Sequence, residues 1–315
     1  MSIDLSQLYR QPALTTRLPF GKNWYKNNEI EFGLLDEISI LPMTHKDEML
    51  IHNPDALLTN NAIADIIKSC VPSIKNVKKL FMPDVEVLLL AIKIASSGNE
   101  IEVSVPCPHC IKTFNETKEE DRKKLIEDKK IFIEPQTFVF DARACLDTMN
   151  IKDNEYKLEL PNEVILHLKP ITLEDNANYE LLRFKLKTTL NQLIQDQIKD
   201  NKEISIDAKA WQEKRDNDEE FRKTLLDLDD VATKCIASSI ECLEFKNELI
   251  TDNEIINEFL LNIPANYFAD IRNLVSKINE SALNKNYFCK CRCCNYEWEE
   301  KDIEFNYSNF FVTGS

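Results

Sequence analysis

Two short cysteine clusters, Cys107-Pro-His-Cys110 and Cys289-Lys-Cys-Arg-Cys-Cys294, constrain this chain more than any other feature. A CxxC turn presents two thiolates on one side of a metal, and a structural zinc takes four such ligands in a tetrahedron. The best pair in the second cluster is Cys291 with Cys294, so Cys107, Cys110, Cys291 and Cys294 form the predicted ligand set for structural zinc. Each cluster stands beside a plausible strand. Ile101, Val103 and Val105 alternate on one face just before the first, which predicts zinc-ribbon-like knuckles on β-hairpins. The 180 residues from 111 to 290 lie between the pairs, far beyond ordinary ribbon spacing. One shared site therefore requires the intervening segment to be an insertion between two hairpins, which adds little closure entropy. Two half-sites completed by another subunit, one intact site with a vestigial partner, and reduced thiols without metal satisfy the same spacing.

The flanking residues refine this. A knuckle commonly turns left-handed just after its second cysteine; Asn295 tolerates that conformation and Ile111 does not. No thioredoxin-like βαβ pattern surrounds either CxxC, which argues against a redox role. Cys289 and Cys293 are spare thiols, and His109 reads as an exposed tip residue. Cys70, Cys145, Cys235 and Cys242 fall in apolar patterns and read as core.

Other chemistry finds little support. Only 4 glycines are present, and neither a dinucleotide fingerprint nor a phosphate loop occurs. The four histidines, His45, His52, His109 and His167, form no HExxH, and no serine lies in GxSxG. A closed four-thiolate site has no open coordination position, so the expectation is a non-enzymatic protein. The net charge of −15 opposes phosphate binding, and Glu297, Glu299 and Glu300 place acid beside the second knuckle. No nucleic-acid partner is expected; a zinc-ribbon nucleic-acid-binding or regulatory protein is the alternative reading. The run from Val85 to Ala95 is broken by Glu86 and Lys93 and is too short to span a bilayer, and no secretory signal is visible, so no membrane partner is expected either.

The hydrophobic pattern predicts an α+β chain, with mixed strands and helices first and a helix-rich C-terminal half. Residues 29–40 alternate as a strand or hairpin, and residues 84–95 are apolar on nearly every face, as in a buried helix ended by Gly98. Thr113 and Phe114 begin a return strand; residues 118–130 read as an exposed helix or linker. Residues 132–140 and 156–168 read as strands, with a turn at Pro161-Asn162. Thr172 and Thr251 are candidate helix caps. Tyr179, Leu182, Leu186, Leu190 and Leu193 form one helical stripe, and Leu225, Leu228, Ala232, Cys235 and Ile236 another. The regions are an α+β part with the first knuckle (1–117), a linker and β segment (118–171), a helical region (172–283), and the second knuckle with an aromatic tail (284–315). In that tail Phe305, Phe310 and Phe311 are candidate partner-binding residues.

Several segments, in order, resemble the hub-associated baseplate proteins of T-even-type bacteriophages. They are Leu18-Pro19, Ile40-Leu41-Pro42, Asp47-Glu-Met-Leu50, and the long apolar segment from Asp84 to Gly98. They continue with Cys107-Pro108 and Cys110, Leu160-Pro161, Lys169-Pro-Ile-Thr172, Cys291-Arg-Cys-Cys294-Asn-Tyr-Glu-Trp298 and Phe310-Phe311. Departures are Ile111 and Asn295 where glycine is expected, Lys93 where arginine is usual, and the extra Cys289 and Cys293. The resemblance implies a structural hub subunit or a hub assembly factor. It implies partners among other baseplate hub or tape-measure proteins, with oligomerisation open. It also implies assembly in the host cytoplasm and a place in the virion tail baseplate.

Overall fold

A computed structural model describes residues 10–25, 29–51, 61–127, 131–200 and 218–301. The first strand, β1 (Leu14–Thr16), pairs antiparallel with β2 (Ile38–Ile40), matching Leu14 to Ile40 and Thr16 to Ile38. The strand expected over 29–40 is shorter than its alternation suggested. Ile30 makes only an isolated bridge to Ile74, and Leu34–Asp36 is a 3-10 turn with positive φ at Leu35 and Asp36. That turn ends the extended run, so only residues 38–40 join the sheet.

Two helices, α1 (His45–Ile51) and α2 (Asn61–Cys70), lead to α3 (Met82–Ser97), the centre of the core. Pro83 stands in its first turn, where a missing N–H costs nothing. From Pro83 to Lys93 every residue is buried except Glu86, which is half-buried. Leu88, Leu89, Leu90 and Ile92 are among its fully buried side chains. Each such side chain stabilises the fold by roughly 1.5–3 kcal/mol relative to exposure. Gly98 ends the helix at φ 84° and ψ −176°, a conformation essentially reserved for glycine, and its N–H bonds Ile94 O at 3.1 Å.

Two polar residues of α3 are buried with partners. Lys93 Nζ donates to Glu100 O at 3.1 Å. Asp84 is fully enclosed; it accepts from Phe20 N at 2.9 Å and from the Tyr25 hydroxyl. The same hydroxyl accepts from Phe81 N at 3.1 Å, and Phe20, Trp24, Tyr25 and Phe81 pack edge-on or tilted around the pair.

After Gly98, β3 (Glu100–Val105) pairs with its return strand only after two helices, α4 (Pro108–Glu116) and α5 (Glu119–Glu127). Thr113 and Phe114 are therefore helical, and the return strand is β4 (Gln136–Asp141), in register from Glu100↔Asp141 to Val105↔Gln136. Asp141 then caps α6 (Ala142–Asp147), accepting from Arg143 N at 2.9 Å.

A four-stranded antiparallel sheet follows, ordered β5 (Tyr156–Leu160), β6 (Val164–Leu168), β7 (Ile240–Phe245), β8 (Glu248–Ile250). The turn at Pro161-Asn162 is present, with positive φ at Asn162 and Glu163; Lys246 and Asn247 make the two-residue turn between β7 and β8. Between β6 and β7 the chain makes a helical hairpin of α7 (Leu173–Asp200) and α8 (Glu219–Ser238). Thr172 caps α7, its hydroxyl accepting from Asp175 N at 3.2 Å, and Asp218 caps α8, accepting from Phe221 N at 3.0 Å. The α8 stripe is displaced from the expected one. Phe221, Thr224, Val231 and Ala237 are buried, whereas Leu225 and Ala232 are exposed, because α8 packs mainly along α7 and apolar residues occur on both its sides. On α7 the expected stripe residue Leu182 is likewise exposed.

The helices α9 (Asn253–Asn262) and α10 (Ala265–Asn279) close the core with Ile256, Leu260, Ile271 and Ile278. Asp252, one residue after the expected Thr251, caps α9 by accepting from Glu254 N at 2.8 Å, and Pro264 separates the two helices. The last hairpin, β9 (Tyr287–Lys290) and β10 (Glu297–Glu300), pairs Cys289 with Trp298. No helix among the described residues is long and apolar enough to cross a membrane.

Candidate metal centre

The two cysteine pairs converge. Cys107 follows β3 and is the N-cap of α4, with Pro108 in the first turn and Cys110 one turn on. Residues at the N-cap and third helical position face one another, which is the geometry a capping box uses. Here it brings two sulfurs together, and Cys110 N donates to Cys107 Sγ at 3.5 Å. The positive end of a helix also favours thiolates. Ile111 needs no left-handed conformation, because the chain continues as helix and its N–H bonds Cys107 O at 3.1 Å.

The second pair occupies the turn between β9 and β10. Cys291 N donates to Tyr296 O at 2.9 Å and Asn295 N to Cys291 O at 3.1 Å, while Asn295 takes the left-handed φ of 56°. That turn aims the backbone N–H groups of Cys293 and Cys294 at Cys291 Sγ, each at 3.4 Å.

Between the pairs, Cys107 Sγ lies 3.7 Å from Cys294 Sγ, and Cys110 Sγ lies 3.8 Å from Cys291 Sγ and 3.6 Å from Cys294 Sγ. All four sulfurs fall within 4.8 Å of one another. A tetrahedral ion with metal–sulfur bonds of about 2.3 Å places its sulfurs about 3.8 Å apart, which the cluster matches. A disulfide requires about 2.05 Å, well short of these sulfur separations. The residues fit a single four-thiolate metal site. Cys107, Cys110 and Cys291 are completely buried, and Ile131, Phe114, Leu125 and Trp298 pack around them as a small core of their own.

The electrostatics are uneven. Burial pushes the Cys291 thiol up, but donors from Cys294 N, the Gln136 side chain and Cys293 N outweigh it and bring it down to about 6. Burial pushes the Cys107 and Cys110 thiols up; at Cys107 the hydrogen bonds with Cys110 oppose the rise while the Cys291 and Cys294 sulfurs add to it, and at Cys110 all three neighbouring cysteine sulfurs add to it.

Cys289, whose thiol burial pushes up to about 11, stands outside the four, as does Cys293. The exposed His109 ring stacks on Tyr296 with centroids 5.2 Å apart and takes no place among the sulfurs. Phe305, Phe310 and Phe311 lie outside the described residues. One residue of the centre went unforeseen in the sequence. Gln136, at the start of β4, reaches Cys291 Sγ at 3.1 Å. A lone glutamine at a strand start carries no signal of that role.

Residues 14–312 match the family described as T4 bacteriophage base plate protein. The chain belongs to that family. The match takes in both cysteine pairs and the buried helix α3, so this T4-type baseplate protein carries its candidate metal centre within the matched region. Membership implies contacts with other phage structural proteins and association with the virion tail. No curated protein and no solved structure matches the chain.

Proposed function

We propose that this baseplate protein is a hub component or hub assembly factor that works by protein–protein contact, with one structural zinc at Cys107, Cys110, Cys291 and Cys294. The convergence of the four sulfurs at tetrahedral spacing supports the metal most directly. Four thiolates suit zinc, and such a closed set leaves no open position for substrate, so its contribution is to folding. The family match supports the baseplate assignment. The acidic residues Glu297, Glu299 and Glu300 on β10, together with the net charge of −15, weigh against a phosphate-binding face.

Two measurements test the reading. Purified full-length protein should contain one zinc per chain, and Cys107→Ser with Cys110→Ser should lose it; a metal-free wild type of undiminished stability refutes the zinc. Quantitative mass spectrometry of virions beside assembly intermediates from infected cells tests the role. Fixed copy number in mature tails marks a hub component, presence only in precursors marks an assembly factor, and absence from both refutes the proposal.

A further inference from the structure

Gln136 opens β4 opposite Val105, so it stands across the first hairpin from the approach to Cys107. It is 6% exposed, and both ends of its amide are used. Oε1 accepts the backbone N–H of Arg292 at 3.0 Å, and Nε2 donates to Cys291 Sγ at 3.1 Å. The first contact fixes the second. A backbone N–H requires an acceptor, so the amide oxygen must face Arg292 and the NH2 group must face the sulfur. Arg292 then reaches back, its Nη2 donating to Thr137 O at 3.0 Å. The start of β4 thus grips the turn of the second knuckle at three points.

The charge of the site explains why that grip matters. Four thiolates around a dication carry a net charge of −2, and this cluster is almost entirely out of water, so its sulfurs need N–H donors. Cys291 Sγ receives three: Cys293 N and Cys294 N from its own turn, and Gln136 Nε2 from the other hairpin. The first two form whenever the turn forms. The third exists only when the hairpins, separated in the chain by the whole helical segment, are docked.

We propose that Gln136 is an outer-sphere positioning residue of the metal centre, which docks the C-terminal turn on the β3–β4 hairpin and holds the Cys291 sulfur by an amide N–H···S bond. This rests on reading the four cysteines as a metal site. Loss of such a partner typically weakens metal binding 10–100-fold.

The test compares Gln136→Met and Gln136→Glu in the full-length chain. Met removes both contacts. Glu keeps an acceptor for Arg292 N–H but loses the donor and sets a carboxylate against a thiolate. Zinc affinity is measured by competition with a chromophoric chelator, and the sulfur-to-metal charge-transfer band is followed with cobalt(II). Both variants should lose about 10–100-fold in zinc affinity, Glu at least as much as Met, with a shifted cobalt band and an unchanged far-UV spectrum. Wild-type affinity in both variants overturns the proposal. So does wild-type affinity in Glu alone, because the residue then only braces Arg292. If Met fails to fold, Glu decides by the same criterion. A wild-type chain that takes up neither zinc nor cobalt overturns the metal reading itself, and this proposal with it, before any variant is compared.

Discussion

Replacing Asp84 by asparagine should abolish the pH dependence of stability that this one carboxyl imposes. Asp84 lies wholly inside the core, and burial pushes its carboxyl up to about 8, with the donors from Phe20 N and the Tyr25 hydroxyl only partly opposing that rise. In the unfolded chain the group titrates near the ordinary aspartate value of about 3.9. Between those values the folded chain holds a proton that the unfolded chain has released, so stability falls as pH rises. Its contribution is fully present below about pH 4, declines through the neutral range, and levels off above pH 8. The slope is about 1.4 kcal/mol per pH unit, so wild type should lose about 3 kcal/mol between pH 5 and pH 7 relative to Asp84→Asn. Asparagine is close in shape to the protonated acid and can still accept from Phe20 N. Urea unfolding of both proteins at pH 5, 6 and 7 measures this, and taking the difference cancels groups common to both. With a slope of about 2–3 kcal/mol per molar urea, the gap between midpoints should change by about 1 M over that range. Parallel pH profiles would refute the reasoning, because they would mean that Asp84 stays ionised in the fold, held by its two donors and the start of α3.

Gly98→Ala should cost about 1–3 kcal/mol in urea unfolding through backbone conformation alone, since φ is 84° and an added Cβ meets nothing within 4 Å. Leu88→Ala, at the centre of α3, should cost about 2–5 kcal/mol by the same assay, with a lower melting temperature. Asp218→Ala removes the acceptor for Phe221 N and should destabilise by about 0.5–2 kcal/mol, which amide hydrogen exchange should localise to the first turn of α8.

What was legible in the sequence was local. The buried helix, its glycine stop and the left-handed Asn295 each follow from a few adjacent residues, and all three are present. The two cysteine pairs were visible as ligands, but their meeting was only one of four arrangements, because no short-range rule joins residues 181 positions apart. Between β3 and β4 the second helix, α5, falls where residues 118–130 read as an exposed helix or linker, but α4 was hidden because the spacing of Thr113 and Phe114 suits a strand as readily as a short helix. On α8 apolar residues on two sides leave periodicity unable to choose the buried stripe, and Leu225 fell on the exposed one. The cap of α9 differed by one residue because Thr251 and Asp252 are both good acceptors. Gln136 was beyond reach for a different reason: its role is made entirely by a strand register and a distant turn.

The pairing of Cys107 and Cys110 with Cys291 and Cys294 also sets a clock for biosynthesis. Chains fold from the N-terminus as they leave the ribosome, and α3 and the β3–β4 hairpin emerge long before residue 291. Until then two thiols wait with no partners, exposed to oxidants and to other metals. A nascent or truncated chain that ends before the last hairpin has every other major element and no complete set of sulfurs. Closure of the four-sulfur set would distinguish finished copies from unfinished ones.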